Sequence, residues 1–436
     1  MKPAFVKNLL LSLITETASQ RKFFSRPDAD FSRKRKISSH QLIELILSMG
    51  GGNLNRELLD FFNFSPSTAS SSAFIQQRSK LSYSALEYLF IRFSKELKSR
   101  SFLRFGYKLF AVDGSDLHIP TNPNDTDSFF PNVKERKPYN LLHLNAFYDL
   151  LSHTYREALV QKGKGDEHGA AVEMMLRSQD SNVILIADRL YESYNLIANA
   201  QEKGWKFLIR AKEPTHEGGI VHALDVPKQG CFDSLVALSL CRSSSKTAKR
   251  LPNYKRLNSE TRFDFLPTHI DKSNPDIHYD MSFRVVRFKI TEDSYETVLT
   301  NLPSNLFPPA KLKELYALRW GIETSFRDLK HTIGLLNFHS KKTEFVLQEV
   351  FAAFVMYNYA EVITQSVIVR RDGKKYQYQV NFTEAVYICR QFFLSRIPPF
   401  HVEALISKYI VPIRPERHVT RNLTVKPVVS FLYRVA

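Results

Sequence analysis

A regular alternation of strand-like and helix-like segments between residues 105 and 212 constrains the fold more than any other feature of the chain. Three strand-like segments come first, YKLFAVDGSDLHIP, LLHLNAFYDLLS and HTYREALVQKG. They are followed by a helix-like EHGAAVEMMLRSQ, the apolar strand NVILIADRL, a second helix-like segment, YNLIANAQEKG, and the strand WKFLIRAK. An antiparallel meander that leads into βαβ units forms a mixed sheet with helices on its faces. The sequence therefore predicts an α/β core.

The segments on either side of this core differ from it in pattern. Residues 1–104 show helical apolar spacing interrupted by short Ser, Pro and Gly segments, which predicts an all-α N-terminal domain that binds DNA. Residues 213–298 lose the helical period, which predicts a β-rich insertion between a first core part at 105–212 and a second at 299–368. Residues 369–436 predict a basic, helical C-terminal region.

The net charge of +17 indicates a polyanion partner, and nucleic acid comes first among such partners. The excess lies at the ends, with 16 basic and 8 acidic residues in 1–100, and 12 basic and 4 acidic residues in 366–436. One basic run precedes a predicted helix, and we expect it to contact DNA phosphates, although such runs can also be solvated loops. The run consists of Arg33, Lys34, Arg35 and Lys36.

The chain shows no sign of secretion or membrane insertion. Its three cysteines, Cys231, Cys241 and Cys389, have neither metal-ligand spacing nor a disulfide framework, which fits a reducing cytoplasm. The apolar run in residues 1–20 is short, interrupted and without a small-residue cleavage site. The run FAAFVMYNYAEVITQSVIV has amphipathic spacing and predicts a buried core helix. We expect no membrane partner and a cytoplasmic, nucleoid-associated location.

Two acids follow apolar strands of the predicted sheet. Asp113 comes directly after KLFAV, and Asp188 comes directly after VILIA, which is typical of sites at sheet ends. Turn and helix-cap chemistry is the alternative reading for both. Asp116 lies close to Asp113 and is an alternative candidate for the first of these two site acids. Asp125 and Asp127 lie in the segment TNPNDTDSFF, for which a solvated loop is predicted.

The segment KELYALRWGIETSFRDLKHTIGL, residues 313–335, predicts one helix with a polar border beside an apolar face. At about 100° per residue, a stripe roughly 60° wide contains four polar side chains, Tyr316, Arg319, Glu323 and Lys330. A surface helix with salt bridges at helical spacing is the alternative. Glu323 would add a third carboxylate to the two strand-end acids. Such an oxygen-rich set suits Mg²⁺ or Mn²⁺ and does not suit zinc.

A carboxylate trio in a basic protein indicates polynucleotidyl chemistry. Two divalent ions about 3.5–4 Å apart can activate a hydroxyl nucleophile and stabilise the leaving oxygen of a phosphodiester. Arg319 and Lys330 would hold non-reacting phosphates, and Tyr316 would bond a phosphate or stack on a base. Arg189, beside the second acid, would position that acid or contact DNA. Arg210, after the strand WKFLI, would reach phosphate or pair with a local acid.

These motifs together resemble those of DDE-type insertion-sequence transposases of the IS-four group. AVDGS at Asp113 is similar to the first aspartate motif of that group, and IADRLY at Asp188 is similar to the second. The resemblance covers roughly residues 111–335. The group's signature Y-x2-R-x3-E-x6-K is matched at full spacing by Tyr316, Arg319, Glu323 and Lys330.

The resemblance implies a ribonuclease H-like catalytic core in which Asp113, Asp188 and Glu323 bind two Mg²⁺ ions, with Mn²⁺ as a possible substitute. It also implies double-stranded DNA as the partner, cleavage at terminal inverted repeats and joining of the 3′-hydroxyl ends to target DNA. A homodimer in the synaptic complex is implied as well. Some relatives flip a base against an aromatic side chain, but Trp205 and Trp320 are expected in the core.

Three alternatives stay open on the sequence alone. Another ribonuclease H-like DNA nuclease would carry the same acids without strand transfer. A catalytically inactive, DNA-binding descendant of a transposase is disfavoured because all three acids are intact. A basic RNA-binding protein is disfavoured because the chain has no aromatic ribonucleoprotein motif. His118, His143 and His153 lack zinc spacing, and satisfied core or surface positions are expected for them.

Overall fold

Helices build the N-terminal part of the chain. A computed structural model describes residues 1–97, 102–131, 137–268, 277–292, 294–369, 377–413 and 432–433. Side-chain oxygens of Ser38, Asn53 and Ser70 each accept a hydrogen bond from a backbone N–H in the following first turn, which fixes where three helices begin. The helices are α1 (Pro3–Ser19), α2 (Ser39–Ser48), α3 (Leu54–Phe61), α4 (Ser71–Arg78) and α5 (Ser84–Leu97).

The core between residues 105 and 212 has the predicted order of strands and helices, with one short strand added. Its elements are β1 (Lys108–Ile119), β2 (Phe129–Phe130), β3 (Tyr139–Asp149), β4 (Thr154–Lys162), α6 (Glu167–Arg177), β5 (Val183–Ala187), α7 (Tyr194–Glu202) and β6 (Lys206–Ala211). The segment up to residue 300 then contributes β7 (Phe232–Cys241), β8 (Tyr254–Arg256), β9 (His278–Lys289) and β10 (Tyr295–Thr300).

The remainder of the described chain is mainly helical. Much of the predicted basic C-terminal region, at 370–376, 414–431 and 434–436, lies outside the described residues. The elements are α8 (Pro309–Ala317), α9 (Trp320–His331), β11 (Asn337–Phe338), α10 (Thr343–Thr364), β12 (Tyr378–Val380), α11 (Phe382–Phe393), α12 (Pro399–Lys408), β13 (Ile410–Pro412) and β14 (Leu432–Tyr433).

One mixed sheet contains all ten strands described between residues 108 and 300. The strand order is β2-β3-β1-β5-β6-β10-β9-β7-β8, and β4 also pairs with β3. The pairs β1–β5, β5–β6 and β7–β8 are parallel, and the other pairs are antiparallel. The strands that the sequence assigns to an insertion therefore extend the core sheet, because β10 pairs directly with β6.

Two apolar clusters cover the two faces of this sheet. Leu109 and Ala111 of β1 belong to a cluster with residues of α9 and α10, and the N-terminal helices α1, α2 and α5 share this cluster. Phe110 and Val112 belong to a second cluster with residues of α6 and α7. Successive side chains of a strand point to opposite faces, so β1 separates the two clusters. We refer to these sides of the sheet as the α9 face and the α6 face.

The segment 313–335 forms two helices, so the prediction of a single helix is wrong. Leu318 and Arg319 lie between α8 and α9, and their N–H groups bond to carbonyls three residues back. This is the tighter 3₁₀ pattern, and it separates the two helices. The helices also have different anchors, because Lys313 of α8 donates to the end of β9 and α9 lies against β1. Helix α9 ends before Gly334, which has a positive φ of 92°.

The helix α4 was not predicted, and it carries a buried arginine. Arg78 is 1% exposed, and its Nη2 lies 2.9 Å from Oε1 of Glu349 on α10. Its Nε donates to Oε1 of Gln348 at 2.7 Å. His339 bonds to the same glutamate through Nδ1 at 3.1 Å, and its Nε2 bonds to the carbonyl of Gly52 at 3.1 Å. This network joins the N-terminal helices to the longest helix of the molecule's described part.

The prediction of a solvated loop is wrong for Asp125. Its carboxylate accepts hydrogen bonds from Lys162 at 2.8 Å, from Ser128 at 2.9 Å and from Thr343 at 2.5 Å. Thr343 begins α10, so Asp125 ties its loop to that helix. Asp127, two residues later, is exposed as expected.

The long apolar run predicted to be a core helix is confirmed as α10, which is buried along nearly its whole length. Among the helices that the structure describes, none combines the length and the apolar composition that a bilayer crossing requires.

Candidate functional site

Asp113 and Asp188 lie side by side on the α9 face of the sheet. The parallel pairing of β1 with β5 ends at Val112 and Ala187, and each acid is the next residue of its strand. Those two residues belong to the α6-face cluster, so the acids that follow them continue the α9 face. Asp113 is not at the end of its strand, because β1 continues to Ile119 along β3. Asp113 lies where β1 stops pairing with β5 and continues to pair with β3.

Glu323 reaches the same face from the first turn of α9. Burial is the main cause that raises the pKa of Asp113 to about 7. The negative charges of Asp188 and Glu323 raise this pKa further, while the Gly114 N–H and the Arg319 charge oppose the shift. The structure therefore brings Asp188 and Glu323 within electrostatic reach of Asp113, although more than a hundred residues separate Glu323 from the strands.

Arg319 lies at the junction of α8 and α9 and contacts the third acid directly. Its Nη2 donates to Oε1 of Glu323 at 2.8 Å. Its Cζ lies 5.8 Å from the ring centre of Tyr316 and 5.0 Å from that of Trp320. Within the described residues, the Tyr316 hydroxyl and the Nε of Arg319 are buried without a hydrogen-bond partner. Both groups are able to bond a further ligand.

The two tryptophans differ. Trp205 is 1% exposed and donates to the carbonyl of Asp180 at 2.9 Å, so its predicted core position is confirmed. Trp320 is 51% exposed, and its predicted core position is wrong. At about 100° per residue, Trp320 lies on the side of α9 opposite its buried residues Ile322, Phe326 and Leu329.

Lys330 binds the strand that carries the first acid. Its ammonium donates to Oγ of Ser115 at 2.8 Å and to the carbonyl of Asp116 at 2.6 Å. Burial lowers the pKa of Lys330, and the charge of Asp116 opposes that shift. The side chain thus joins α9 to β1 beside Asp113.

The other cations expected at DNA lie in two kinds of surroundings. Arg210 forms an ion pair with Glu296 of β10, with Nε 3.0 Å from Oε1, which is the local-acid alternative considered for this residue. Arg189 is exposed in the turn after Asp188, whose carboxylate accepts the N–H of Leu190 at 2.8 Å. Four cations are exposed in the loop before α2, namely Arg33, Lys34, Arg35 and Lys36.

Sequence reasoning missed a second charged group, which lies on the α6 face. Nδ1 of His143 on β3 bonds to Asp116 at 2.7 Å, and its Nε2 lies 3.3 Å from Oε1 of Glu167. The hydrogen bond with Asp116, and then the one with Glu167, raises the pKa of His143 to about 9. Residue spacing could not reveal the group, but strand register could, because Asp116 and His143 are paired residues of β1 and β3.

The donor chemistry of the three acids fits a hard divalent cation. Carboxylate oxygens are the ligands that Mg²⁺ and Mn²⁺ prefer, and the raised pKa of Asp113 reflects its burial near two further carboxylates, which a bound cation would offset. Within the described residues, no three His, Cys, Asp or Glu side chains already stand in a metal-ligating arrangement. Glu323 bonds to Arg319, so binding an ion would require this carboxylate to reorient.

Comparisons with known proteins agree on one family. Residues 104–359 match the family described as Transposase DDE domain, and this range contains all three acids. The chain is 25% identical over 263 residues to the transposase InsG for insertion sequence element IS4 of Escherichia coli (strain K12). That alignment covers 58% of this chain and 51% of InsG, so the chain spans about half the length of this curated relative.

A solved structure is similar along most of the chain. It is the cryo-EM structure of a piggyBac transposase synaptic complex with hairpin DNA, at 10% sequence identity and a TM-score of 0.48. The match covers 96% of this chain and 87% of the piggyBac chain.

Proposed function

The chain belongs to the family of transposases with a DDE domain, and from this premise we propose that it cleaves and joins DNA at transposon ends. It would bind terminal inverted repeats, cleave them, and join the freed 3′-hydroxyl ends to target DNA. The observation that carries the proposal is the placement of Asp113 and Asp188 on neighbouring strands, with Glu323 of α9 within electrostatic reach.

We assign a ribonuclease H-like fold to the catalytic core. The strand order β4-β3-β1-β5-β6 supports this assignment, since three antiparallel strands precede two parallel ones and helices lie on both faces. Residues 1–104 then form the helical DNA-binding domain, 105–212 and 299–368 the two core parts, 213–298 the β-rich insertion and 369–436 the basic C-terminal region.

The three acids would hold two Mg²⁺ ions, or Mn²⁺ in their place. Bound ions would supply an activated hydroxyl nucleophile and stabilise the leaving oxygen of the phosphodiester. The contribution of the protein is to hold the three carboxylates in place. Asp113 and Asp188 are fixed by adjacent strands, while Arg319 holds Glu323.

The polar groups around the acids would orient DNA. The buried Nε of Arg319 and the hydroxyl of Tyr316 are available to bond a phosphate. Lys330 would place positive charge beside Asp113 through its contact with β1, and Arg189 is exposed next to Asp188. Arg210 would contribute after exchanging Glu296 for phosphate.

The partner we propose is double-stranded DNA, both transposon ends and target, bound by a homodimer in the synaptic complex. The exposed run Arg33, Lys34, Arg35 and Lys36 supports phosphate contacts in the helical N-terminal part. The location we propose is the cytoplasm, in association with the nucleoid.

The deciding experiment replaces Glu323 by Gln in the full chain. We expect Glu323→Gln to lose detectable nicking of end DNA in Mg²⁺ while end binding, measured by mobility shift, stays intact, because the amide keeps the shape of the side chain and loses its charge. Glu314→Gln is the matched control, since Glu314 is an exposed glutamate of the preceding helix. Nicking by Glu323→Gln at the wild-type rate would reject the assignment, and nicks without joined products would favour a nuclease.

A further inference from the structure

We propose that His143, held between Asp116 and Glu167, is a positioning residue that fixes the two aspartate segments of the metal site from the opposite face of the sheet. The inference rests on the function proposed above. It adds a residue outside the three acids and the Tyr-Arg-Glu-Lys signature.

The imidazole is hydrogen-bonded at one nitrogen, lies at ion-pair distance from a glutamate at the other, and packs against backbone. Nδ1 bonds to Asp116 at 2.7 Å, and Nε2 lies 3.3 Å from Oε1 of Glu167, the first residue of α6. A Cβ added at Gly114 would lie 2.5 Å from the Nε2 of His143 and 2.7 Å from the Oε1 of Glu167. Gly165 has no room for a Cβ either, because the same ring blocks it. The ring and Glu167 therefore fill the space directly behind the residue that follows Asp113.

The same residues fix β1 from both sides. Asp116 accepts the His143 hydrogen bond through its side chain on the α6 face, and its carbonyl accepts the Lys330 ammonium at 2.6 Å. The stretch that begins at Asp113 is therefore held by a cation on each face of the sheet. Beyond the point where its pairing with β5 ends, β1 pairs only with β3 on one side, so removal of either cation would loosen the side chains around Asp113.

Glu167 extends this arrangement to the second aspartate. Tyr191, three residues after Asp188, is fully buried. Burial, and then the negative charges of Glu167, Asp113 and Asp188, raises the pKa of Tyr191 well above its usual range. Tyr191 belongs to the α6-face cluster together with Val112 and Ala187, the residues directly before the two aspartates, and the charge of Glu167 reaches its phenol.

Residues that orient metal ligands without touching the ion typically change metal affinity or activity by about 10–100-fold when they are replaced. A positioning role therefore predicts weaker metal binding in a folded protein. A role in folding alone predicts normal affinity in whatever fraction of the variant folds.

The test measures Mn²⁺ binding to the full chain by electron paramagnetic resonance, together with the Mg²⁺ dependence of end nicking. We expect His143→Ala to weaken Mn²⁺ binding by about tenfold or more, and nicking to need correspondingly more Mg²⁺. We also expect its rate at saturating Mg²⁺ to stay within a few-fold of wild type. His278→Ala is the matched control, because it removes another histidine beside an aspartate, on the distant strand β9.

Wild-type Mn²⁺ affinity in folded His143→Ala overturns the inference. If His143→Ala does not fold, Glu167→Gln decides the question, since it keeps the side-chain shape and removes the charge behind Gly114. Wild-type affinity in that variant overturns the inference, and a loss of about tenfold supports it. If the wild-type chain itself neither binds Mn²⁺ nor nicks DNA, the proposed function fails. If the wild-type chain binds Mn²⁺ and nicks DNA, and the variants bind Mn²⁺ equally well, only the positioning role fails.

Discussion

Two arginine–glutamate pairs in this molecule have opposite surroundings. Arg78 and Glu349 have side chains 1% and 9% exposed, and Gln348, His339 and the carbonyl of Phe345 complete their hydrogen bonds. Arg319 and Glu323 are 6% and 29% exposed, and the Nε of Arg319 has no hydrogen-bond partner among the described residues. The first pair is closed on all sides, and the second is left incomplete.

This difference in enclosure distinguishes an ion pair that stabilises the fold from one whose carboxylate is accessible to a ligand. A buried charge that loses its partner is costly, so Arg78 and Glu349 each require the other. Glu323 bonds to its arginine within a helical turn, and its side chain is 29% exposed, so a ligand can reach it. A partly exposed pair with an unpartnered nitrogen is therefore open to a ligand, while a fully enclosed pair indicates a structural role.

The largest effect is expected for the closed pair. We expect Arg78→Met to lower the free energy of unfolding by about 3–5 kcal/mol, because Glu349 would be left as a buried charge without its cation. Urea unfolding followed by circular dichroism measures the change. Arg56→Met in the exposed position of α3 serves as the control and should change stability by about 0.5 kcal/mol or less. A loss as small as that of the control would remove the contrast between the pairs.

The incomplete pair should affect reaction more than folding. We expect Arg319→Lys to reduce single-turnover nicking by roughly 10²-fold, because an ammonium cannot bond Glu323 and a phosphate in the planar geometry of a guanidinium. Stability should fall far less than for Arg78→Met. Arg327→Lys, an exposed arginine on the same helix, is the control for the loss of any guanidinium. Equal nicking by both variants would contradict the assigned role.

A pH titration distinguishes the site from the closed pair. Asp113 has a pKa raised to about 7, so a proton must leave before a divalent ion can bind. We expect Mn²⁺ affinity to rise by about tenfold per pH unit below pH 7 and to level off above it. Any stability that protonated Asp113 contributes is present below the ordinary carboxyl pKa and is lost as pH rises through about 7.

The closed pair should not follow this titration. Burial favours a higher pKa for Glu349, but Arg78 and His339 outweigh it and lower that pKa. Glu349 therefore stays ionised across the range in which Asp113 titrates. A flat Mn²⁺ affinity between pH 5.5 and about 7 would show that the Asp113 proton does not compete with the ion.

The smallest effect on the fold is expected for the four exposed cations of the loop before α2. Replacing Arg33, Lys34, Arg35 and Lys36 by Ser should change stability by about 0.5 kcal/mol or less, since all four side chains are exposed. It should reduce the slope of log affinity for DNA against log salt by about 0.9 for each phosphate that the chain no longer neutralises. Titrations of end DNA at several salt concentrations measure the slope. An unchanged slope would show that this loop is only solvated.

Local patterns predicted most of the elements because they report on local physics. Apolar strands and amphipathic helices between residues 105 and 212 have their expected order, and α10 was recognisable from its long apolar run. The helix α4 was missed, and its long-range contacts come from Arg78, which bonds to residues some 270 positions later. No sequence window contains that contact.

The candidate site shows the same limit. Spacing selected Asp113, Asp188 and Glu323, and the structure brings the other two within electrostatic reach of the first. The contacts of His143 depend on strand register, which periodicity does not report, whereas the exposed position of Trp320 follows from helical spacing. The partners of Lys330 and Arg210 likewise became visible only in three dimensions.

Because the helix breaks at Leu318 and Arg319, the rotation of α9 about its own axis does not depend on the rotation of α8. In one continuous helix, an insertion or deletion of a single residue upstream would turn every later side chain by about 100°. Here α8 takes its orientation from β9 through Lys313, and α9 takes its own from β1 through Lys330. The preceding segment can therefore change in length while the direction of Glu323 stays tied to the strand of Asp113.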